Sequence, residues 1–271
     1  MLARPSPEDT LLWAHLSYYF GSHITARQFG TLADALETAI ASADVVGVRD
    51  DITDVNFPPD NFDLQNSDFL RSFKESFKLR NVELDISYPA ALRLAHLHRR
   101  LATFGFAAET IFCSAWLHFQ LSASGALAKM IRNEQKIGLI SSRPALAIEI
   151  KKRLNVEVDY WEVPHLEDLT KACGGEGAHY PDAFNRTMES LKLDVPGQLF
   201  VVGASTFAKI YCQRIKELGG IGLDIGAACD TWLDMPSRPL VIRSMFGVDG
   251  DVVPEKLLLS HQASQLNARS G

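Results

Sequence analysis

The chain is poor in the features that most directly announce a chemistry. Its four cysteines (Cys113, Cys173, Cys212 and Cys229) are widely spaced and form no C-x-x-C pair, which leaves no zinc framework and no thiol–disulfide motif. No apolar run approaches the length of a bilayer crossing, so no membrane span is expected. The N-terminus, MLARPSPEDTLLWAHL, puts charges and prolines where a signal peptide needs an apolar stretch, and the expected location is cytoplasmic. Positive charge is scarce too: a net charge of −6 and a pI near 5.8 give no global field to recruit nucleic acid. Two nucleotide fingerprints are also missing. VVGASTFAK is not G-x-G-x-x-G, and G-x-x-x-x-G-K-[ST] occurs nowhere, which removes most support for NAD binding and P-loop phosphoryl transfer.

What remains is an ordinary globular composition, 46% hydrophobic and 22% charged over 271 residues. The second half contains one unit twice. KIGLISSRPALAIEIKKRLNVEVDYWEVP reads strand, polar turn, helix, strand, and GQLFVVGASTFAKIYCQRIKELGGIGLDIG repeats the rhythm. Leu146, Ile150 and Leu154 recur at helical spacing in the first; Phe207, Ile210, Tyr211, Ile215 and Leu218 do so in the second, where Gly219–Gly220 end the helix. Ser141–Ser142 and Ser205 or Thr206 stand where helix caps are expected, with Pro144 in a first turn. Short apolar strands alternating with such helices predict an α/β fold, a Rossmann-like, mostly parallel sheet flanked by helices. The first half is less regular, with a strand VVGVR at 45–49, a surface loop at 55–66, and TIFC running into one long helix from SAWLHFQL onward. A single domain over 1–259 is expected, and residues 260–271 lack periodicity and read as a mobile tail.

Three predicted strand ends carry small polar residues: Ser141, Ser142 and Arg143; Gly203, Ala204 and Ser205; Asp224 and Gly226. Neighbouring parallel strands would gather these turns on one sheet edge. There, helix N-termini offer backbone N–H groups to an anion and Arg143 offers a bidentate phosphate contact. The bland alternative is that Ser and Thr cap helices while Gly203 permits close packing. His118 falls four residues after Ser114 on one predicted helical face, suited to binding or deprotonating a substrate hydroxyl, or equally to a satisfied core position. Asp230 reads as a partner for an acceptor hydroxyl or as a cap, Trp232 as core, and His165 as a ligand candidate at a strand exit. Asp50, Asp51 and Asp54 follow a strand, where paired carboxylates hold Mg²⁺ or Mn²⁺ together with phosphate oxygens, or simply form a solvated turn.

ADVVGVRDD, CSAWLHFQL, KIGLISSRP, WEVP, FVVGAST and GLDIGAACDTW, in that order over roughly residues 35 to 235, resemble the D-type (GT-D) glycosyltransferase family. The resemblance implies a Rossmann-like fold and transfer of a sugar from a nucleotide-sugar donor to an acceptor that the sequence does not name, with help from a divalent metal at an Asp-x-Glu motif. By position that motif falls on Asp50-Asp51-Ile52, so the glutamate is absent and Asp50 and Asp51 are the nearest matches for Mn²⁺ or Mg²⁺. The 141–143, 203–205 and 224–226 turns fall where it implies donor binding; His118 and Asp230, from their own positions, are the candidates to assist the acceptor hydroxyl. Two other readings stay open: a nucleotide or sugar-phosphate binding module without catalysis, and a sugar-phosphate isomerase-like domain.

Overall fold

A computed structural model describes residues 26–48, 105–165, 179–249 and 251–270. The expected metal residues Asp50 and Asp51, and the loop at 55–66, lie outside them. In chain order the elements are α1 (Ala26–Ala41), β1 (Val45–Val48), β2 (Ile111–Ser114), α2 (Leu117–Ala123), α3 (Ala126–Arg132), β3 (Lys136–Ser141), α4 (Pro144–Leu154), β4 (Glu157–Glu162), α5 (Phe184–Ser190), β5 (Leu199–Gly203), α6 (Phe207–Glu217), β6 (Ile221–Asp224), α7 (Ala228–Thr231), α8 (Pro239–Phe246) and α9 (Leu259–Ser270).

The four-stranded sheet has the order β4-β3-β5-β6 and every pairing in it is parallel; β1 and β2 form a separate parallel pair. The fold is Rossmann-like α/β. The period-two alternation of β5 explains its two buried faces. Phe200 and Val202 join Ile140 and the α1, α5 and α6 residues Leu32, Phe184, Phe207, Ile210 and Ile215. Leu199 and Val201 join Ile137 and Leu139 against Leu146, Ile150 and Leu154 of α4 and Leu127 and Ile131 of α3. The crossover helices α4 and α6 therefore cover opposite faces. Each ends as its sequence dictates: Asn155 takes a left-handed conformation after α4, and Gly219 does so after Leu218 caps α6.

Three expectations are corrected. Residues 260–270 of the expected tail are helical, since α9 runs to Ser270 and buries Leu259, Gln262 and Ala263, with Leu266 packed beside them. Leu259, Ala263 and Leu266 follow a helical i, i+4, i+7 spacing, but the Ser, Gln, Asn and His residues between them dilute that stripe. Ser114 is the last residue of β2, not a helical neighbour of His118. Its pairing with Val48 extends the strand, and its Oγ accepts from the Trp116 N–H at 3.2 Å, turning the chain before α2. The long helix is two, because Gly125 adopts φ +73° between α2 and α3.

Leu259 is fully buried among the α3 and α4 side chains. Leu259→Ala is expected to lower unfolding free energy by about 2–5 kcal/mol in urea titration, the usual range for such a cavity. A helix start that does not pack on α3 and α4 would leave the midpoint unchanged.

Candidate functional site

Parallel register puts the carboxyl ends of all four strands of the larger sheet on one rim. Ser141 lies opposite both Gly203 and Glu162, and Val202 opposite Asp224. The chain steps outward from β3 to β4 in one direction and from β5 to β6 in the other, so the strand order reverses between β3 and β5. In open α/β sheets ligands settle outside the strand ends at such a reversal. The expected turns at 141–143, 203–205 and 224–226 do line this rim.

At the end of β3, Ser141 is fully buried. Its Oγ accepts from the Arg143 N–H at 3.1 Å, while its carbonyl accepts from the Tyr160 hydroxyl at 2.7 Å and from the Val163 N–H at 3.3 Å. Neither Ser141 nor Ser142 caps α4; Arg143 holds the N-cap position, followed by Pro144. The serine is used instead to fold the turn that carries Arg143. The guanidinium is then bound on two sides: Nε donates to Asp230 Oδ1 at 2.8 Å, and Nη2 donates to His165 Nε2 at 2.7 Å. The Arg143 and Asp230 side chains keep 21% and 23% of their exposure, enough to meet a ligand.

The β5 turn depends on Gly203. A Cβ there would stand 2.5 Å from Cys229 Sγ, so the missing side chain lets α7 close against β5. Burial, helped by the nearby Asp230 and Asp224 carboxylates, pushes the Cys229 thiol well above its ordinary pKa and keeps it protonated. Ala204 is buried. Ser205 is exposed and holds φ +52°, a left-handed conformation costing a non-glycine residue about 1 kcal/mol. Thr206 occupies the N-cap position of α6, and neither it nor Ser205 makes the expected side-chain cap.

At the end of β6, Asp224 Oδ1 accepts from the Gly226 N–H at 3.1 Å, and Oδ2 pairs with Lys209 of α6 at 2.8 Å. Asp224 therefore stiffens its own turn and does not cap α7, whose N-cap is Ala227. Trp232 is core as expected: it is buried, and its Nε1 donates to Ser122 Oγ at 2.7 Å.

His118, near the start of α2, lies within the electrostatic influence of Asp224, Lys209 and Arg238. Burial lowers its pKa to about 4, outweighing the opposing pull of Asp224 and its backbone hydrogen bond at Ala115. Nε2 is enclosed and has no hydrogen-bond partner among the described residues, which assigns the Ala115 bond to Nδ1. The imidazole is therefore neutral near pH 7, with its bare nitrogen shut off from water.

Two rim residues escaped the sequence reading. Lys209 falls one helical turn beyond Ser205, a signal available only once the turn is known to face a site. Tyr160 was read simply as strand. Among the described residues no group of three or more His, Cys, Asp or Glu could hold a metal ion, and the Asp224 and Asp230 carboxylates are each engaged by a cation. Comparison with protein-family models, curated proteins and solved structures finds no match.

Acid sensitivity follows from two histidines. His118 is joined by His179, which is buried, stacked on Phe207 at 4.1 Å, hydrogen-bonded to the Tyr211 hydroxyl at 2.8 Å, and lowered by burial to about 3. Both folded-state values lie below the ordinary value near 6.5, so the unfolded chain takes up these protons first. Stability should be intact above that value and fall as the pH drops toward about 4 and then 3. At about 1.36 kcal/mol per pKa unit, each group contributes about 3–5 kcal/mol to that loss once the pH lies below its folded-state value. Urea midpoints at pH 7 and pH 5 should differ less in a His118→Gln/His179→Gln protein than in wild type; equal differences would contradict this assignment.

Proposed function

We propose that the chain is a glycosyltransferase whose nucleotide-sugar donor sits at the rim between β3 and β5. The observation that carries this reading is the reversal of strand order at Ser141 and Gly203, with Arg143 fixed beside it and Asp224 one strand away. In sugar transfer the bond from the anomeric carbon to the donor diphosphate breaks, the acceptor oxygen bonds to that carbon, and the acceptor proton passes to a base. The chief electrostatic task is to stabilise the charge that develops on the departing diphosphate.

The rim supplies donors for that charge. The N-termini of α4 and α6 present backbone N–H groups that intrahelical bonding leaves over. Some of these are consumed locally, since Leu146 N–H donates to the Arg143 carbonyl and Ala208 N–H to the Ser205 carbonyl. Arg143 and Lys209 add charged donors, Lys209 reaching the end of β6 through Asp224. Because each cation is already paired with a carboxylate, the four groups together bring no net charge. A divalent cation held by Asp50 and Asp51 would act as a Lewis acid toward the diphosphate oxygens when bound. His118, neutral near pH 7, is able to accept a proton, and its enclosed Nε2 requires α2 to shift before an acceptor hydroxyl can reach it. The location is cytoplasmic in this reading, with no membrane or nucleic-acid partner.

A second reading, a binding module for nucleotides or sugar phosphates without catalysis, is favoured by Asp50-Asp51-Ile52, which lacks the glutamate of Asp-x-Glu. One thermal-shift series separates the two, since a ligand that binds only the native state raises its melting temperature. Nucleoside diphosphate sugars should stabilise the protein more than sugar phosphates, and Arg143→Ala should weaken the best of them by about 1–3 kcal/mol in calorimetry. Turnover of that donor supports transfer; binding without turnover supports the module. Stabilisation by sugar phosphates alone would point to an isomerase-like site and overturn the proposal.

A further inference from the structure

The structure assigns to His165 the role of a positioning residue that, together with Asp230, fixes the Arg143 guanidinium and presents its remaining N–H groups to anionic oxygens. This rests on the reading of the rim as a diphosphate site. A guanidinium has donors and no acceptor, so the 2.7 Å contact between Arg143 Nη2 and His165 Nε2 can only run from arginine to histidine. The histidine nitrogen is therefore a bare lone pair, and the ring proton sits on Nδ1. Asp230 holds Nε at 2.8 Å. With Nε and Nη2 held by different residues, 65 positions apart in the chain, rotation about the last side-chain bonds is blocked. The Nη1 N–H groups and the second N–H of Nη2 are left over, a fork suited to phosphate oxygens.

The chemistry of the two partners differs in a way that serves an anion site. Asp230 neutralises the guanidinium. A second carboxylate at position 165 would hold the arginine equally well but would make the cluster negative and repel a diphosphate. A neutral imidazole supplies the second acceptor without adding charge. Asp230 gains a role here beside the one expected of it: Oδ1 orients Arg143, and the second carboxylate oxygen is left for an acceptor hydroxyl.

The test compares wild type with His165→Leu, which cannot accept a hydrogen bond, and His165→Gln, whose side-chain oxygen can. Position 165 is only partly buried, in the stretch that follows β4, and melting temperatures should match. Two readouts are taken: exchange of the Arg143 Nη protons by ¹⁵N NMR in the unliganded protein, and pyrophosphate affinity by calorimetry. In wild type and His165→Gln an Nη2 proton should exchange slowly. In His165→Leu it should exchange rapidly, and pyrophosphate should bind about tenfold more weakly, with glutamine restoring affinity to within about threefold. Unchanged exchange and affinity in His165→Leu, or a glutamine variant as impaired as the leucine one, would overturn the assignment. Failure of wild type to bind pyrophosphate would count against the rim as a diphosphate site, while proton exchange would still decide whether His165 fixes the arginine.

Discussion

The reversal of strand order between β3 and β5 is the constraint on which the rest of the structure depends. Because β3 leads outward to β4 and β5 leads outward to β6, helices α4 and α6 cover opposite faces and part above the central strands. Register then sets Ser141 against Gly203, and the two turns diverge from neighbouring points. Gly203 makes the second half of this possible, since any side chain there would meet Cys229 and push α7 off β5. With α7 seated, Asp230 reaches Arg143 across 87 positions of sequence. Close packing at one glycine thus delivers a carboxylate to an arginine on another strand end.

The electrostatics of the rim follow from the same geometry. Arg143–Asp230 and Lys209–Asp224 are partly exposed ion pairs, worth little as sources of stability. Their consequence is orientation: each cation is held in place and each is neutralised. Each pair thus places a hydrogen-bond donor and an acceptor side by side at the strand ends. Ser205 adds a local cost that packing must offset, since its left-handed conformation would suit glycine better. Strain kept at a strand exit, with the side chain exposed, fits a turn shaped for contact.

Much of the fold was legible in the chain because its signals are local. The short apolar run in LFVVG, the stripe Phe207, Ile210, Tyr211, Ile215, and the Gly219–Gly220 stop each act over a few residues, and all three describe the elements that form. The grouping of the three polar turns was legible for the same reason, as a consequence of parallel strands. Strand order was not, since nothing local says that β3 and β5 are neighbours. The Arg143–Asp230 contact stayed hidden for that reason, the Arg143–His165 contact because no local signal shows which side chains meet beyond two strand ends, and Ser141 looked like a cap when its Oγ serves the turn before the helix. Helix α9 was missed because three apolar positions carry its buried face while the polar Gln262 and its neighbours mask the period.

The account's central claim is that a ligand occupies the rim at the strand-order reversal. Backbone hydrogen exchange with and without a nucleoside diphosphate sugar tests it most directly, because the rim segments are separate in sequence and adjacent in space. The account predicts added protection concentrated in residues 141–146, 203–208 and 224–230, with the opposite end of the sheet, around Lys136 and Asp194, unchanged. Protection confined to the strand amino ends, or to segments that share no edge of the sheet, would contradict it.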